Sequence, residues 1–119
     1  NRLIMLNSED MTSAVQRVAQ FADERSHAIR VKVENNEVRL QANSNEMGEA
    51  EDVLETSYQG ESMTIGFNSD YLIDFLKAAG TAEVRLELKD SQSAGMLRPT
   101  ENGNGDEFKY RYVVMPMRI

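Results

Sequence analysis

The sequence predicts an α+β domain, and three observations support that class. Two segments have apolar residues spaced for one face of an α-helix, and each follows a potential capping asparagine. Several short segments alternate apolar and polar residues, as half-buried strands do. Turn-forming residues separate most of these strands, which favours hairpins in a largely antiparallel sheet. We expect two helices packed on one face of that sheet.

A strand and a helix are predicted at the start of the chain. Residues 2–6 form a short apolar run that is typical of a strand. Asn7 can cap the following helix, and Leu6 and Met11 have the spacing of a hydrophobic staple. Apolar residues then recur at helical spacing, which predicts a helix to about Glu24.

Four strands are predicted between the two helices. Alternation at residues 29–33 and 38–42 indicates two strands, joined by a turn at 34–37 whose asparagines tolerate positive φ. Further strands are expected at 50–58 and 62–67.

The second predicted helix begins with the same kind of capping residue as the first. Asn68 can cap it, and Gly80 suits a left-handed stop. Strands are then predicted at 84–88, 94–98 and 108–117. The order is written β-α-β-β-β-α-β-β-β, and its halves share an outline of a strand, a stapled helix and three strands.

Composition argues against several functions. Cysteine is absent, which excludes disulfides and suits a cytoplasmic protein, and the single histidine, His27, favours an incidental role over catalysis. Phosphate-binding and nucleophile motifs are missing, so we expect no enzyme, no cofactor and no metal site. The net charge of −7 argues against tight direct DNA binding by this domain alone. No apolar run approaches the roughly 20 residues that span a bilayer, so no membrane partner is expected.

Two segments allow a functional interpretation beside a structural one. An acidic segment is either a solvated edge, which composition favours, or a docking strip for a basic partner. Its acids are Glu46, Glu49, Glu51, Asp52 and Glu55. The apolar C-terminal segment is either a strand buried between sheet and helices or one wall of an apolar groove. Composition leaves this second pair of alternatives even.

Several motifs resemble one family closely. Residues 112–119 read YVVMPMRI and residues 66–72 read GFNSDYL. Both are similar to segments of the β subunit of bacterial DNA polymerase III, the replicative sliding clamp. Further matches at 42–43, 49–51 and 58–60 extend the resemblance over essentially the whole chain. It corresponds to the third of three similar clamp domains, without the first residues of that domain.

The resemblance implies a DNA-clamp domain and a function. Clamps dimerise head to tail into a ring that holds DNA topologically and tethers DNA polymerase III, the clamp loader and repair factors. Partners insert a short peptide with a Gln and Leu/Phe-type anchors into a pocket shared with the preceding domain. A free-standing adaptor with a clamp-like fold, which does not encircle DNA, is the alternative.

By resemblance, two sets of residues carry these functions. The peptide pocket would include Asn68, Tyr71, Val113, Val114, Met115, Pro116, Met117 and Arg118. The subunit interface would include Gln20, Phe21, Glu46, Glu49, Glu51 and Asp52. At the pocket rim the chain departs from its relatives with Ser26 or His27 in place of Phe, and with Gln92 in place of an apolar residue. The resemblance thus favours the docking interpretation of the acidic segment.

Overall fold

A computed structural model describes residues 2–44, 48–79, 82–99 and 112–117. The elements are β1 (Arg2–Asn7), α1 (Ser8–Ala19), β2 (Ala28–Glu34), β3 (Glu37–Ser44), β4 (Gly48–Glu55), β5 (Met63–Asn68), α2 (Ser69–Ala79), β6 (Glu83–Leu88), β7 (Gly95–Pro99) and β8 (Tyr112–Val114). The α+β class is confirmed. Four strands separate the helices, which confirms the four individual strand predictions, whereas the order written from the sequence counts three there and omits one.

The strands form two four-stranded sheets in which every pair is antiparallel. One sheet has the order β1-β6-β7-β8 and the other β4-β3-β2-β5. The sequence led us to expect a single sheet, and the structure has two; among the described residues, a bridge between Gly66 and Met117 links them. Pro116, which has no N–H to donate, lies between β8 and this bridge.

Each half of the chain places its first strand in the sheet of the other half. β1 pairs with β6, which follows α2, and β5 pairs with β2, which follows α1. The helices pack on each other, α1 against β1 to β4 and α2 against β5, β7 and β8. Phe67, Phe75 and Ile4 are fully buried in the resulting core. Each such side chain contributes about 1.5–3 kcal/mol through removal from water.

The first helix begins where the sequence predicts and ends earlier. Asn7 caps it, with Oδ1 accepting from the backbone N–H of Asp10 at 2.9 Å. The helix ends at Ala19 and not near Glu24. The following residues form tighter hydrogen-bonded turns and then the turn at 23–27, where an acidic side chain binds the backbone amides.

The hairpin between β2 and β3 is confirmed, and Asn36 adopts a left-handed φ of 69° in its turn. β4 ends at Glu55, before the predicted residue 58. Tyr58 lies buried in the loop instead, and its hydroxyl donates to the carbonyl of Glu61 at 2.8 Å. A Cβ at Gly60 would lie 2.6 Å from that hydroxyl oxygen, so glycine is needed there.

Parts of two predictions fall outside the described residues, namely the helix stop at Gly80 and residues 108–111 of the final strand. Within the described part, the final strand is reduced to β8. In the described ranges, neither helix has the length and apolar character needed to cross a bilayer.

Candidate functional site

The C-terminal segment connects the two sheets. Val114 pairs with Gly95 of β7, at the edge of one sheet. The chain then leaves the ladder at Met115, and the backbone N–H of Met117 donates to the carbonyl of Gly66 at 2.7 Å. The residues between these two attachment points are therefore held at both ends.

The side chains of this segment divide between core and surface. Val114 is only 2% exposed, whereas Val113 and Met115 are 58% and 66% exposed. Val114 therefore packs inward, as the buried-strand interpretation predicts, whereas its two neighbours are exposed. In the described part of the chain, the exposed large apolar side chains are Leu3, Val53, Tyr71, Val113 and Met115. Three of these five belong to the predicted peptide pocket.

Asn68 lies at the entry to α2 and uses its amide in two directions. Its Oδ1 accepts from the backbone N–H of Asp70 at 2.8 Å, which caps the helix as predicted. Its Nδ2 donates to the carbonyl of Ser26 at 3.4 Å. Tyr71 follows in the first turn of α2 and is half exposed. The cap therefore fixes the backbone that presents the Tyr71 ring.

The turn at 23–27 packs against this helix entry. The Asp23 carboxylate accepts from the backbone N–H groups of Arg25 at 2.8 Å and Ser26 at 3.2 Å, and these hydrogen bonds lower its pKa. His27 adopts a left-handed φ of 55° and donates its N–H to the carbonyl of Asp23 at 2.8 Å. A left-handed residue other than glycine costs roughly 1–2 kcal/mol, so the surrounding contacts hold the turn in place.

The two rim residues singled out in the sequence, Ser26 and His27, contact α2 through their backbone. The carbonyl of His27 accepts from the N–H of Ser69, the first residue of α2, at 2.8 Å. The His27 Nδ1 lies 3.5 Å from Oδ2 of Asp70. Sequence reasoning missed Asp23, although an acid followed by a short polar turn is a recognisable signal for side-chain capping of backbone amides.

Gly95 allows β7 to approach the same region closely. A Cβ at this position would lie 2.9 Å from Cζ of Phe67 and 3.0 Å from Cδ2 of Leu88. Because Phe67 immediately precedes Asn68, this contact sets the distance between the β7–β8 edge and the start of α2. Sequence reasoning missed Gly95, since a glycine inside a short strand gives only a weak local signal.

The remaining predicted rim and pocket positions are Gln92, Pro116, Met117 and Arg118. Gln92 is exposed in a turn where Asp90 accepts from the N–H groups of Gln92 at 2.9 Å and Ser93 at 2.7 Å. These hydrogen bonds lower the pKa of Asp90. Pro116 and Met117 are partly buried. Arg118 lies outside the described residues.

The acidic segment is partly neutralised from within the domain. Glu51 accepts from Arg39 Nη1 at 2.8 Å and from Gln41 at 3.2 Å, and these bonds lower its pKa. The side-chain hydrogen bond with Glu51 raises the pKa of Arg39. Asp52 binds Arg17 of α1 through Nε at 2.9 Å and through Nη2. The segment contains no base of its own, but neighbouring elements supply two.

The other members of the predicted interface differ in exposure. Glu49 and Gln20 are exposed, whereas Phe21 is half buried and packs against the core. Glu46 lies outside the described residues. A polar cleft of about 590 Å³ adjoins Glu49 and is also lined by Asp23 and other residues at the same end of the β2-β3-β4 ladder. None of the described residues of the C-terminal segment lines that cleft, whereas Ser26, a predicted rim residue of the peptide pocket, does.

The solved structures that this chain resembles include DNA sliding clamps. A Pseudomonas aeruginosa DNA polymerase sliding clamp superposes with a TM-score of 0.91 and 34% identity, over 100% of this chain and 32% of the clamp chain. A Pseudomonas aeruginosa clamp bound to griselimycin gives a TM-score of 0.89 and 36% identity, over 100% of this chain and 31% of that chain. A C. crescentus beta sliding clamp gives a TM-score of 0.90 and 27% identity, over 100% of this chain and 31% of that chain.

The sequence comparisons give the family. Residues 1–118 match the family described as DNA polymerase III beta subunit, C-terminal domain, and the chain belongs to that family. The beta sliding clamp of Pseudomonas putida is 38% identical over all 119 residues, and that of Escherichia coli K12 is 35% identical over 109 residues, or 92% of this chain. The chain spans 31% of the first relative and 28% of the second, so it corresponds to about a third of their length.

Proposed function

We propose that this chain acts as the third domain of a sliding clamp, a processivity factor that encircles DNA and binds polymerase, clamp loader and repair factors through short peptides. The full-length match to one third of proteins named beta sliding clamp supports this assignment. It favours the clamp over a free-standing adaptor. Such a clamp would work as a homodimeric ring in the bacterial cytoplasm, at the nucleoid, and would carry no catalytic group.

The charge of the domain is compatible with this role. A net charge of −7 disfavours close contact with phosphates, because nucleic-acid affinity depends largely on neutralising them with basic residues. A ring that holds DNA topologically needs little direct affinity from this domain. An acidic domain can thus belong to a DNA-bound assembly.

The observation that carries the peptide-binding role is the exposed apolar set of Tyr71, Val113 and Met115. All three side chains are exposed. The Asn68 cap holds the helix start that carries Tyr71, and the Met117–Gly66 bridge holds the segment that carries the other two. The set therefore offers an anchor site for apolar peptide residues. Methionine adds adaptability, because its flexible side chain can repack around different ligands. A Pseudomonas aeruginosa clamp with this fold binds griselimycin, which supports a ligand-binding role for the family.

The test uses the natural full-length protein and a synthetic peptide with one Gln followed by Leu and Phe anchors. Replacing Val113 and Met115 together by serine should weaken peptide affinity at least about tenfold, since each buried apolar side chain contributes about 1.5–3 kcal/mol. Leu3→Ser is the control, because Leu3 is an exposed apolar residue on β1, outside this surface and outside the proposed subunit interface. Equal peptide affinity in wild type and the double variant would exclude the assigned surface. Griselimycin should compete with the peptide in the wild-type protein.

A second surface is proposed for ring closure. Glu49 is exposed at the free edge strand β4, and Gln20 and Phe21 follow α1 at the same side of the domain. An acidic edge suits a basic surface on the other subunit.

A further inference from the structure

The turn at 23–27 is attached to the peptide-binding surface through two consecutive carbonyls. The carbonyl of Ser26 accepts from the Asn68 side chain, and that of His27 accepts from the backbone of Ser69. The His27 carbonyl satisfies the backbone N–H of the first residue of α2, which has no partner inside the helix, and the Ser26 carbonyl holds the side chain of the capping residue before it. The directions of the two carbonyls therefore affect how α2 begins.

Those directions depend on Asp23. Its carboxylate binds the N–H groups of Arg25 and Ser26, and its own carbonyl binds the N–H of His27. His27 is left-handed, a conformation that non-glycine residues keep only when surrounding contacts hold it. Without the carboxylate, the turn would relax and both carbonyls would move away from α2.

The start of α2 in turn controls two parts of the surface. Tyr71 is the third residue of the helix, so its ring moves with the first turn. Gly66, two residues before Asn68, accepts the hydrogen bond that attaches Met117. The end of β5 thus lies between the turn on one side and the C-terminal segment on the other.

We propose that Asp23 is a positioning residue of the peptide-binding surface. It fixes the turn, the turn fixes the start of α2, and α2 presents Tyr71 near the C-terminal segment. Asp23 itself need not touch the peptide. The part of this proposal that concerns affinity rests on the proposed peptide-binding function, whereas the part that concerns α2 does not.

The experiment compares three variants of the natural full-length protein, with the same Gln/Leu/Phe peptide as probe. Asp23→Ala removes both side-chain acceptor contacts and should weaken peptide affinity roughly three- to tenfold. Asp23→Asn keeps an acceptor oxygen and should restore affinity close to wild type. Asn35→Ala is the control, because it removes a 2.8 Å bond to the backbone of Gly60 at the opposite end of β2. It should leave affinity unchanged.

Amide hydrogen exchange at Ser69 provides a second readout that does not involve the peptide. Exchange should be faster in Asp23→Ala than in wild type, and should return to the wild-type rate in Asp23→Asn. Unchanged exchange in Asp23→Ala overturns the positioning role. Faster exchange with unchanged affinity overturns its link to the peptide surface. If the wild-type protein fails to bind the peptide, the proposed function fails, and the exchange rates still decide the positioning of α2.

Discussion

The backbone N–H of Met117 lies 2.7 Å from the carbonyl oxygen of Gly66, which attaches the C-terminal segment to the sheet that does not contain β8. The same segment is held on its other side by the pairing of Val114 with Gly95. Met115 is therefore displayed between two fixed points. Main-chain hydrogen bonds, together with side-chain packing, therefore hold this apolar surface in place.

Removing the donor at this bridge should loosen the surface. Met117→Pro deletes the N–H and leaves the carbonyl of buried Gly66 without this donor, which should cost about 1–3 kcal/mol of stability. Peptide affinity should fall as well. Met117→Leu is the control, since it keeps both the N–H and an apolar side chain. Chemical denaturation and peptide titration measure the two effects, and identical behaviour of the proline and leucine variants would show that the bridge is dispensable.

A methyl group at Gly95 should disturb the contact between β7 and the end of β5. Gly95→Ala places a carbon 2.9 Å from Phe67 Cζ, and we expect a loss of about 1–3 kcal/mol from overpacking. Phe67→Leu removes part of the obstructing ring. The double variant should therefore be more stable than the sum of the two single losses predicts. If denaturation experiments show that the two single losses in free energy of unfolding simply add in the double variant, the clash is not the cause.

Loss of the cap should weaken α2. Asn68→Ala removes the acceptor for the Asp70 N–H and should cost about 0.5–2 kcal/mol. Asn68→Asp keeps that acceptor and should retain most of the stability. Thermal unfolding measures the difference. Comparable melting temperatures for Asn68→Ala and wild type would contradict the role of Asn68 as a cap.

Charge reversal at Glu49 and at Asp52, both on β4, should affect dimerisation and stability differently. Glu49→Lys should weaken dimerisation of the full-length protein, more strongly at low salt, without affecting the fold. Asp52→Lys should also cost up to about 1 kcal/mol of stability, because it places a second cation beside Arg17. Sedimentation measures dimerisation and denaturation measures stability. An undiminished dimer in Glu49→Lys would refute the proposed edge.

Acid should remove stability contributed by Asp23 and Asp90. Their folded-state pKa values lie below the ordinary value of 3.8, so their contribution is present above that pH and is lost as the pH falls through the lowered pKa. Replacing both by asparagine keeps an acceptor without a titrating proton. The double variant should lose less stability than wild type between about pH 5 and about pH 2. If urea denaturation shows that wild type and the double variant lose the same free energy of unfolding over this pH range, the two carboxylates do not contribute in this way.

Local patterns in the sequence predicted much of the fold, because they arise from interactions between near neighbours. Asn7 and Asn68 cap their helices, and Asn36 forms the hairpin turn. The division into two sheets could not be derived in this way. It depends on which distant strands pair, such as Ile4 opposite Leu86, and alternation within a strand does not identify its partner.

The candidate site shows the same limit. Apolar alternation could not distinguish buried Val114 from exposed Met115, because the ladder ends between them. The pairing of Asp52 with Arg17 brings together residues far apart in the chain. The role of Asp23 depends on backbone geometry at His27, which sequence alone does not specify.

The exchange of first strands between the halves has a consequence for folding. Neither half can complete a sheet alone, since β1 needs β6 and β5 needs β2. The β1–β6 pair joins residues about 80 positions apart, and closing so long a loop is entropically costly before its contacts form. The duplicated outline is therefore not a pair of independent modules. The domain should gain or lose its native structure as one cooperative unit.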